Sequence, residues 1–435
     1  MDLVGKYCND CKVFTSNIEE DAVTMIYSIL NNKEFSGSKI RIMPDVHLGK
    51  GIVIGFSAPI TNSINPSHVG VDIGCAVTLC ITNTKVDDAD LKLIEHRVKK
   101  SIPMGTNIHN KRMYEMKDFI KFMKSEYNKA RSTWGEMIND FDISENGFSS
   151  LLKRIKMDEK MFYKSIGTLG SGNHFLEFGN YNDNLTFSVH CGSRNFGYKV
   201  CHYWETIASS NQVDIKLFKE EVNKLKKIVN DKRELPKLIS ELKAEMDSKV
   251  CSNGYLSGDN MRGYITDMVI AQAYAKYNHK IICEIICDIL RKTNNSKVID
   301  VIQSIHNYID MEDHIIRKGA IRSYVGEKII IPLNMRDGIV LGYGKSNDDW
   351  NCTAPHGGGR RLSRSKAKNE LTMEEFEKAM EGIYTTSVCK NTLDESPMAY
   401  KDSNEIISLI EPTCEIIDIV RPIINIKSTE IEKSW

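Results

Sequence analysis

Apolar residues recur at helical spacing at Ile18, Ala22, Ile26 and Leu30, behind a Ser16-Asn17-Ile18-Glu19 capping-box pattern, and predict a first helix. Apolar flanks and closing glycines around Ile40-Arg41-Ile42-Met43-Pro44-Asp45-Val46-His47-Leu48-Gly49-Lys50-Gly51 predict a strand that ends in a loop. Residues 87–165, charged and interrupted by polar joins, read as mainly helical. In Leu185-Thr186-Phe187-Ser188-Val189-His190 the apolar residues take one face of a strand, which leaves His190 on the polar face with Thr186 and Ser188. Residues 214–248 are rich in Lys, Glu and Leu, are broken by Pro236, and predict a helical-hairpin insertion with solvated faces. Residues 264–290 predict a longer amphipathic helix in which Cys283 and Cys287 serve packing. Residues 298–309 are apolar and fit helix or strand equally well. Thr372-Met373-Glu374-Glu375 caps another helix, and residues 421–427 predict a final strand. No repeat or low-complexity linker interrupts this order, so one integrated domain over residues 1–435 is expected.

Composition changes that picture little. Lys+Arg and Asp+Glu both total 58, and a neutral chain still binds phosphates through a local basic patch. An apolar fraction of 41% and a charged fraction of 27% describe an ordinary globule. No run approaches membrane-spanning length, and the first residues lack a signal-peptide core, so no membrane association is expected. Twelve cysteines without secretion signals point to reduced thiols and a cytoplasmic location. Cys8-Asn9-Asp10-Cys11 lacks a second ligand pair and reads as free thiols.

The chemistry gathers at glycine-broken strand ends. Asp72-Ile73-Gly74-Cys75 offers a carboxylate and a thiolate to one ion, against the commoner reading of a buried cysteine that only packs. In Gly172-Asn173-His174-Phe175-Leu176-Glu177 a strand puts Asn173, Phe175 and Glu177 on one face and His174 on the other. That arrangement suits a nucleobase on one side and a metal on the other. His190 and His306 extend the set to five mixed ligands, for which softness alone favours zinc. The stretch Ala354-Pro355-His356-Gly357-Gly358-Gly359-Arg360-Arg361 joins an imidazole to a glycine turn and a cationic run. A neutral imidazole there can attack phosphorus, and turn N–H groups and guanidinium forks suit phosphate oxygens. A plain glycine turn before a solvated helix fits that stretch equally well.

Met43-Pro44-Asp45-Val46-His47, Asp72-x-x-Cys75, Gly172-Asn173-His174-Phe175, His190-Cys191-Gly192-Ser193-Arg194, Arg317-Lys318-Gly319-Ala320, His356-Gly357-Gly358-Gly359-Arg360 and Ser396-Pro397-Met398-Ala399-Tyr400-Lys401-Asp402 occur in one order. In that order, and with Lys427 near the end, the chain resembles the RtcB family of RNA ligases, in its shorter, bacterial-type branch. The resemblance implies an α+β fold, with mixed and antiparallel sheets around the active site and peripheral helices. It also implies a GTP- and Mn2+-dependent ligase, with two ions, that joins RNA 3′-phosphate or 2′,3′-cyclic phosphate ends to 5′-hydroxyl ends in RNA repair or tRNA splicing. His356 would be guanylylated, and Asp72, Cys75, His174, His190 and His306 would hold the metal. GTP contacts would come from Asn173, His174, Phe175, Leu176, Glu177, His306, Asn307, Asn334, Met335, His356, Gly357, Gly358, Gly359, Tyr400 and Lys427. Asp45, Arg194, Lys318 and Arg360 would serve the RNA and its phosphates. Some family members need an activating protein partner.

Three departures from the family pattern stand out. The run after His356 is all glycine where an alanine is usual, Leu333-Asn334 stands where many members have Gly-Ser, and residues 428–435 extend beyond Lys427. Two other classes remain open at this level: a metal-dependent phosphodiesterase acting on cyclic-phosphate ends, and a non-catalytic RNA-end binder.

Overall fold

A computed structural model describes residues 1–210, 222–226, 235, 237–239, 242 and 254–430. The 214–248 hairpin expected from sequence lies mostly outside the described residues, and positions 431–435 of the C-terminal extension lie wholly outside them.

The architecture is α+β, built on two large sheets. One has six strands in the order Asp2–Leu3, Asp10–Val13, Lys39–His47, Ile54–Pro59, Ile315–Lys318, Asn307–Ile309. Only its Asp10–Val13 and Lys39–His47 pair is parallel. The other has seven strands, all antiparallel, in the order Val298–Ile305, Ala76–Lys85, Asn184–Cys191, Phe175–Tyr181, Cys414–Ile426, Gly338–Gly344, Lys328–Asn334. Its outer strands curl towards each other. Ile330 N–H donates to the Ser304 hydroxyl at 3.1 Å, and Lys328 pairs with Asp300. Ile302 and Ile330 from the two edges therefore share one apolar cluster with Val77, Leu79, Leu341 and Val420 from the middle.

Several expectations are refined. The first helix begins at Glu20, beyond the Ser16–Glu19 pattern, because Asn17 N–H turns back to the Thr15 hydroxyl and no side chain caps the helix. The apolar run at 298–309 is strand, split at His306 into Val298–Ile305 and Asn307–Ile309. The strand after Asp72 and Cys75 starts only at Ala76, so both residues sit in the preceding turn. The face carrying Thr186, Ser188 and His190 is polar yet buried, since the curled sheet encloses it.

The predicted 264–290 helix runs over Gly258–Asn294 and is buried on most of its surface. It locks the sheet below it. His279 Nε2–H donates to the Cys191 carbonyl at 2.7 Å, so its Nδ1 accepts from the Thr78 hydroxyl at 2.9 Å. Asn278 takes Gly167 N–H at 2.7 Å and donates to the Gly192 carbonyl at 3.1 Å. One helical turn thus holds both loops from which candidate ligands emerge.

Arg317 does the same for the other sheet. Its fully buried guanidinium pairs with Asp310 and Asp313 and donates to the Asn351 and Cys352 carbonyls and the Thr353 hydroxyl. Truncation would strand buried carboxylates and free the segment that leads to His356. Arg317→Met is expected to lower stability by about 3 kcal/mol, read as a reduced urea midpoint. An unchanged midpoint would show that Arg322, which also pairs with Asp310, carries the network alone.

Candidate active site

Strand register brings the predicted ligands to one end of neighbouring strands. Ala76 faces Ile305 on one side and Cys191 on the other, while Phe175 faces His190. Cys75, His306 and His174, each one residue further along, leave the sheet at the same edge. His306 N–H donates to the Cys75 carbonyl at 2.9 Å, and the chain crosses there into the six-stranded sheet.

The side chains converge. Cys75 Sγ lies 3.5 Å from His174 Nε2 and 3.4 Å from His190 Nε2. His190 Nε2 is 3.3 Å from His306 Nε2, and His174 Nε2 is 2.9 Å from Asp72 Oδ2. The ligand atoms of Cys75, His174 and His190 all lie within 4.8 Å of one another, and the three residues are buried. Nitrogen, sulfur and oxygen lone pairs this close repel unless protons or a cation lie between them. The donor set fits a divalent ion.

Charge at this cluster is tightly constrained. Burial first, and then the crowding of neighbouring imidazoles, holds His190 and His306 well below the ordinary imidazole range. Burial also opposes the charged form of His174, but Cys191 and Asp72 outweigh it and lift this imidazole to about 9. Asp72, for which burial is likewise outweighed by His174, is held at about 2. Burial, then Asp72, pushes the Cys75 thiol well above its usual value.

His356 stands beside this cluster, its ring centroid 4.8 Å from that of His306. It emerges from the Thr353–Pro355 strand, which pairs with Ala320–Arg322. Asp45, fully buried at the end of the Lys39–His47 strand, accepts from His356 Nδ1–H at 2.7 Å and from its backbone N–H at 3.2 Å. Lys401 braces the carboxylate's strand by donating to the Pro44 carbonyl at 2.9 Å. The Nδ1 proton is thereby fixed, which leaves the Nε2 lone pair free on the opposite side of the ring. The glycines that follow have a packing reason. A Cβ on Gly359 would sit 2.5 Å from the Asp45 carbonyl oxygen, and one on Gly358 would sit 2.5 Å from the Leu333 oxygen.

A cavity of about 370 Å³ opens over His356 and His190. Asn173, Phe175, Glu177, Asn334, Met335, Gly357, Gly358, Gly359, Arg360, Tyr400 and Lys427 line it, as do His47 and Asn425. The predicted alternation holds: Asn173, Phe175 and Glu177 face the cavity, while the His174 ring joins the metal-capable cluster. Glu177 takes Asn425 Nδ2–H at 2.9 Å on Oε2, and its Oε1 has no hydrogen-bond partner among the described residues. Burial raises this carboxyl to about 8, against the pull of Asn425 and Lys427. Lys427 Nζ lies on the same wall, 5.6 Å from the Phe175 ring centroid.

Other named residues sit elsewhere. Leu176 is in the apolar core, and Asn307 braces the site by donating to the Asp72 carbonyl and accepting Gly319 N–H. Arg194 donates to Thr168 and to the Gly105 carbonyl. Lys318, which burial pulls down to about 8, donates to the Lys50 and Ser67 carbonyls. Arg360 lines the cavity but bonds Glu395 and the Asp394 carbonyl. Sequence reasoning missed Asn425, Glu395 and the cavity position of His47. His47 alone had a signal, the Asp-x-His spacing.

Comparison with known proteins adds an independent finding. A family model described as "tRNA-splicing ligase RtcB" matches residues 32–428. The chain is 27% identical over 405 residues to the RNA-splicing ligase RtcB of Escherichia coli strain K12, covering 89% of this chain and 90% of that protein. It is 28% identical over 453 residues to the tRNA-splicing ligase RtcB of Nanoarchaeum equitans, covering 89% and 87%. A similar protein from Methanococcus maripaludis is 26% identical over 435 residues, covering 84% and 83%.

The electrostatics predict how a divalent ion would bind. At pH 7 the Cys75 thiol and the His174 imidazolium are both protonated, and both must lose a proton to ligate. Binding should therefore release about two protons per ion, so that affinity rises about a hundredfold per pH unit between pH 6 and 8. Calorimetric titration with Mn2+ in buffers of different ionisation enthalpy reads the proton count, and Cys75→Ala should remove one. A pH-independent affinity contradicts the assignment.

Proposed function

Because the chain belongs to the RtcB family of tRNA-splicing ligases, we propose that it is a GTP- and Mn2+-dependent RNA ligase. It would join 3′-phosphate or 2′,3′-cyclic phosphate ends to 5′-hydroxyl ends through a guanylylated His356. The observation that carries this reading is the Asp45–His356 hydrogen bond, made beside the thiol and imidazole cluster where His356 and His190 line the cavity.

His356 Nε2 attacks the α-phosphorus of GTP; a P–N bond forms as pyrophosphate departs. Asp45 then stabilises the positive charge that develops on the ring, as a carboxylate does behind a catalytic histidine. Water first opens a cyclic RNA end to a 3′-phosphate, whose phosphorus carries no good leaving group of its own. His356 passes GMP to that phosphate, breaking the P–N bond, and the 5′-hydroxyl of the second RNA displaces GMP as the new phosphodiester forms. Asp72, Cys75, His174, His190 and His306 would hold manganese, whose chemistry when bound is to neutralise phosphate charge.

The purine preference follows from the wall opposite. Guanine presents N–H donors at N1 and N2 beside an acceptor at O6. Glu177, with an unpartnered oxygen, suits the donors, and the Lys427 ammonium suits the acceptor. Adenine would set its N6 amine and N1 lone pair against like groups, a costly mismatch in a buried pocket.

Incubation with α-labelled GTP and Mn2+ should leave an acid-labile label on the protein. His356→Ala should abolish it with the fold intact; a persisting label would move the nucleophile elsewhere. Asp45→Asn should slow labelling by about a hundredfold at unchanged stability. An RNA pair with 3′-phosphate and 5′-hydroxyl ends should yield joined product. Hydrolysis of a cyclic end without GTP, and with no joined product, would select a phosphodiesterase instead.

A further inference from the structure

Behind the purine end of the cavity lies a carboxylate that no wall of it contains. Glu395 is 2% exposed, at the end of the Lys390–Glu395 helical turn. Its Oε1 accepts from Arg364 at 2.5 Å and from Arg360 at 3.3 Å. Its Oε2 accepts from the Tyr400 hydroxyl at 2.8 Å and pairs with Lys427 Nζ at 3.3 Å. All four donors line the cavity, whereas Glu395 does not.

We infer that Glu395 is a positioning residue for guanine, setting the hydrogen-bond polarity that Lys427 and Tyr400 present to the base; this rests on the ligase reading of the cavity. Lys427 has three N–H bonds. One is directed to Glu395 and one to the His174 carbonyl at 3.3 Å, so the third is left for the ligand. Tyr400 commits its only hydrogen to Glu395 and shows the cavity an oxygen lone pair. The same carboxylate neutralises part of the repulsion among Arg360, Arg364 and Lys427, which would otherwise drive the buried ammonium out of register or out of its charged state. Burial opposes a charged carboxylate here, but these three cations outweigh it and hold Glu395 well below the ordinary carboxyl range. Among the described residues Glu395 bonds Arg360, Arg364, Tyr400 and Lys427 rather than His356, Asp45 or the Cys75 cluster, so its loss should act on recognition and leave phosphoryl chemistry alone.

The test uses the full chain and two readouts. Self-labelling with α-labelled GTP and ATP in Mn2+ gives KM, maximal rate and base preference; binding of a fluorescent GTP analogue without Mn2+ reports the pocket independently. Glu395→Gln should raise KM for GTP by about tenfold or more, leave the maximal rate nearly unchanged and narrow the preference for GTP over ATP. Glu395→Asp, which keeps the charge, should recover part of the loss. An altered melting temperature with KM and base preference unchanged would reduce Glu395 to a structural role and overturn the inference. Should Glu395→Gln not fold, Glu395→Asp is read by the same criterion: a raised KM supports the inference and an unchanged one overturns it. A wild-type protein that binds the analogue but takes no label sinks the ligase reading and leaves the pocket assignment standing. One that binds no guanine nucleotide sinks both.

Discussion

One backbone hydrogen bond, from His306 N–H to the Cys75 carbonyl, marks the point on which the rest of the site depends. On one side of it the chain belongs to a curled seven-stranded sheet, on the other to a six-stranded sheet. The Gly319 N–H then bonds the His306 carbonyl at 2.6 Å, and Gly74 N–H bonds that of Asn307 at 2.7 Å. With both neighbours pinned, the His306 side chain has little choice of direction. It faces His190 on one side and His356 on the other, ring to ring. A seam between two sheets is thus also where the cluster and His356 meet. The seven-stranded sheet supplies the cluster, while His356 comes from the separate Thr353–Pro355 and Ala320–Arg322 pair and is held by Asp45 of the six-stranded sheet.

Burial sets the chemistry at that seam. Dry surroundings make every uncompensated charge expensive, so charged groups occur here in matched sets. Asp72 keeps its charge because His174 is beside it, and Glu395 keeps its charge because three cations surround it. Glu177 has only an amide and a more distant ammonium, and its carboxyl rises to about 8. An N–H donor from outside the protein on the unpartnered oxygen would favour the charged form of this acid and draw its titration back down. The cavity lining is therefore polarised, with imidazoles in one part and a half-compensated carboxyl in another, as the proposed nucleotide chemistry needs.

Much of this was legible in the chain. The two-residue period of a strand separated His174 from Asn173, Phe175 and Glu177, and it carried His190 away from Leu185, Phe187 and Val189. Glycine-broken turns marked where Asp72, Cys75 and His356 would emerge. Long-range partnership was not legible. Asp45 and His356 stand 311 positions apart, and no local pattern couples them. Glu395 and Asn425 sit in unremarkable contexts, and their meaning comes only from what folds against them. Burial of the Thr186 and Ser188 face could not be read either, because polarity along one strand says nothing of a sheet that curls back over it. The ambiguity over residues 298–309 has a plain cause: an apolar run interrupted by a histidine fits helix or strand until its neighbours choose.

Four imidazoles crowd together, yet only one is equipped to attack. His174, His190 and His306 leave Nδ1 without a hydrogen-bond partner among the described residues and direct Nε2 towards one another. That is a ligand's posture, with each Nε2 aimed at a shared centre. His356 reverses it: Asp45 covers Nδ1, and the opposite nitrogen faces a cavity rather than a fourth donor. A carboxylate behind an imidazole raises the basicity of the far nitrogen and stabilises the cation formed when that nitrogen makes a bond. Residue type cannot distinguish a metal ligand from a nucleophile in such a cluster. What distinguishes them is which ring nitrogen the fold has already spent, and Gly359, whose missing Cβ lets the loop close over Asp45, is the local condition that permits it.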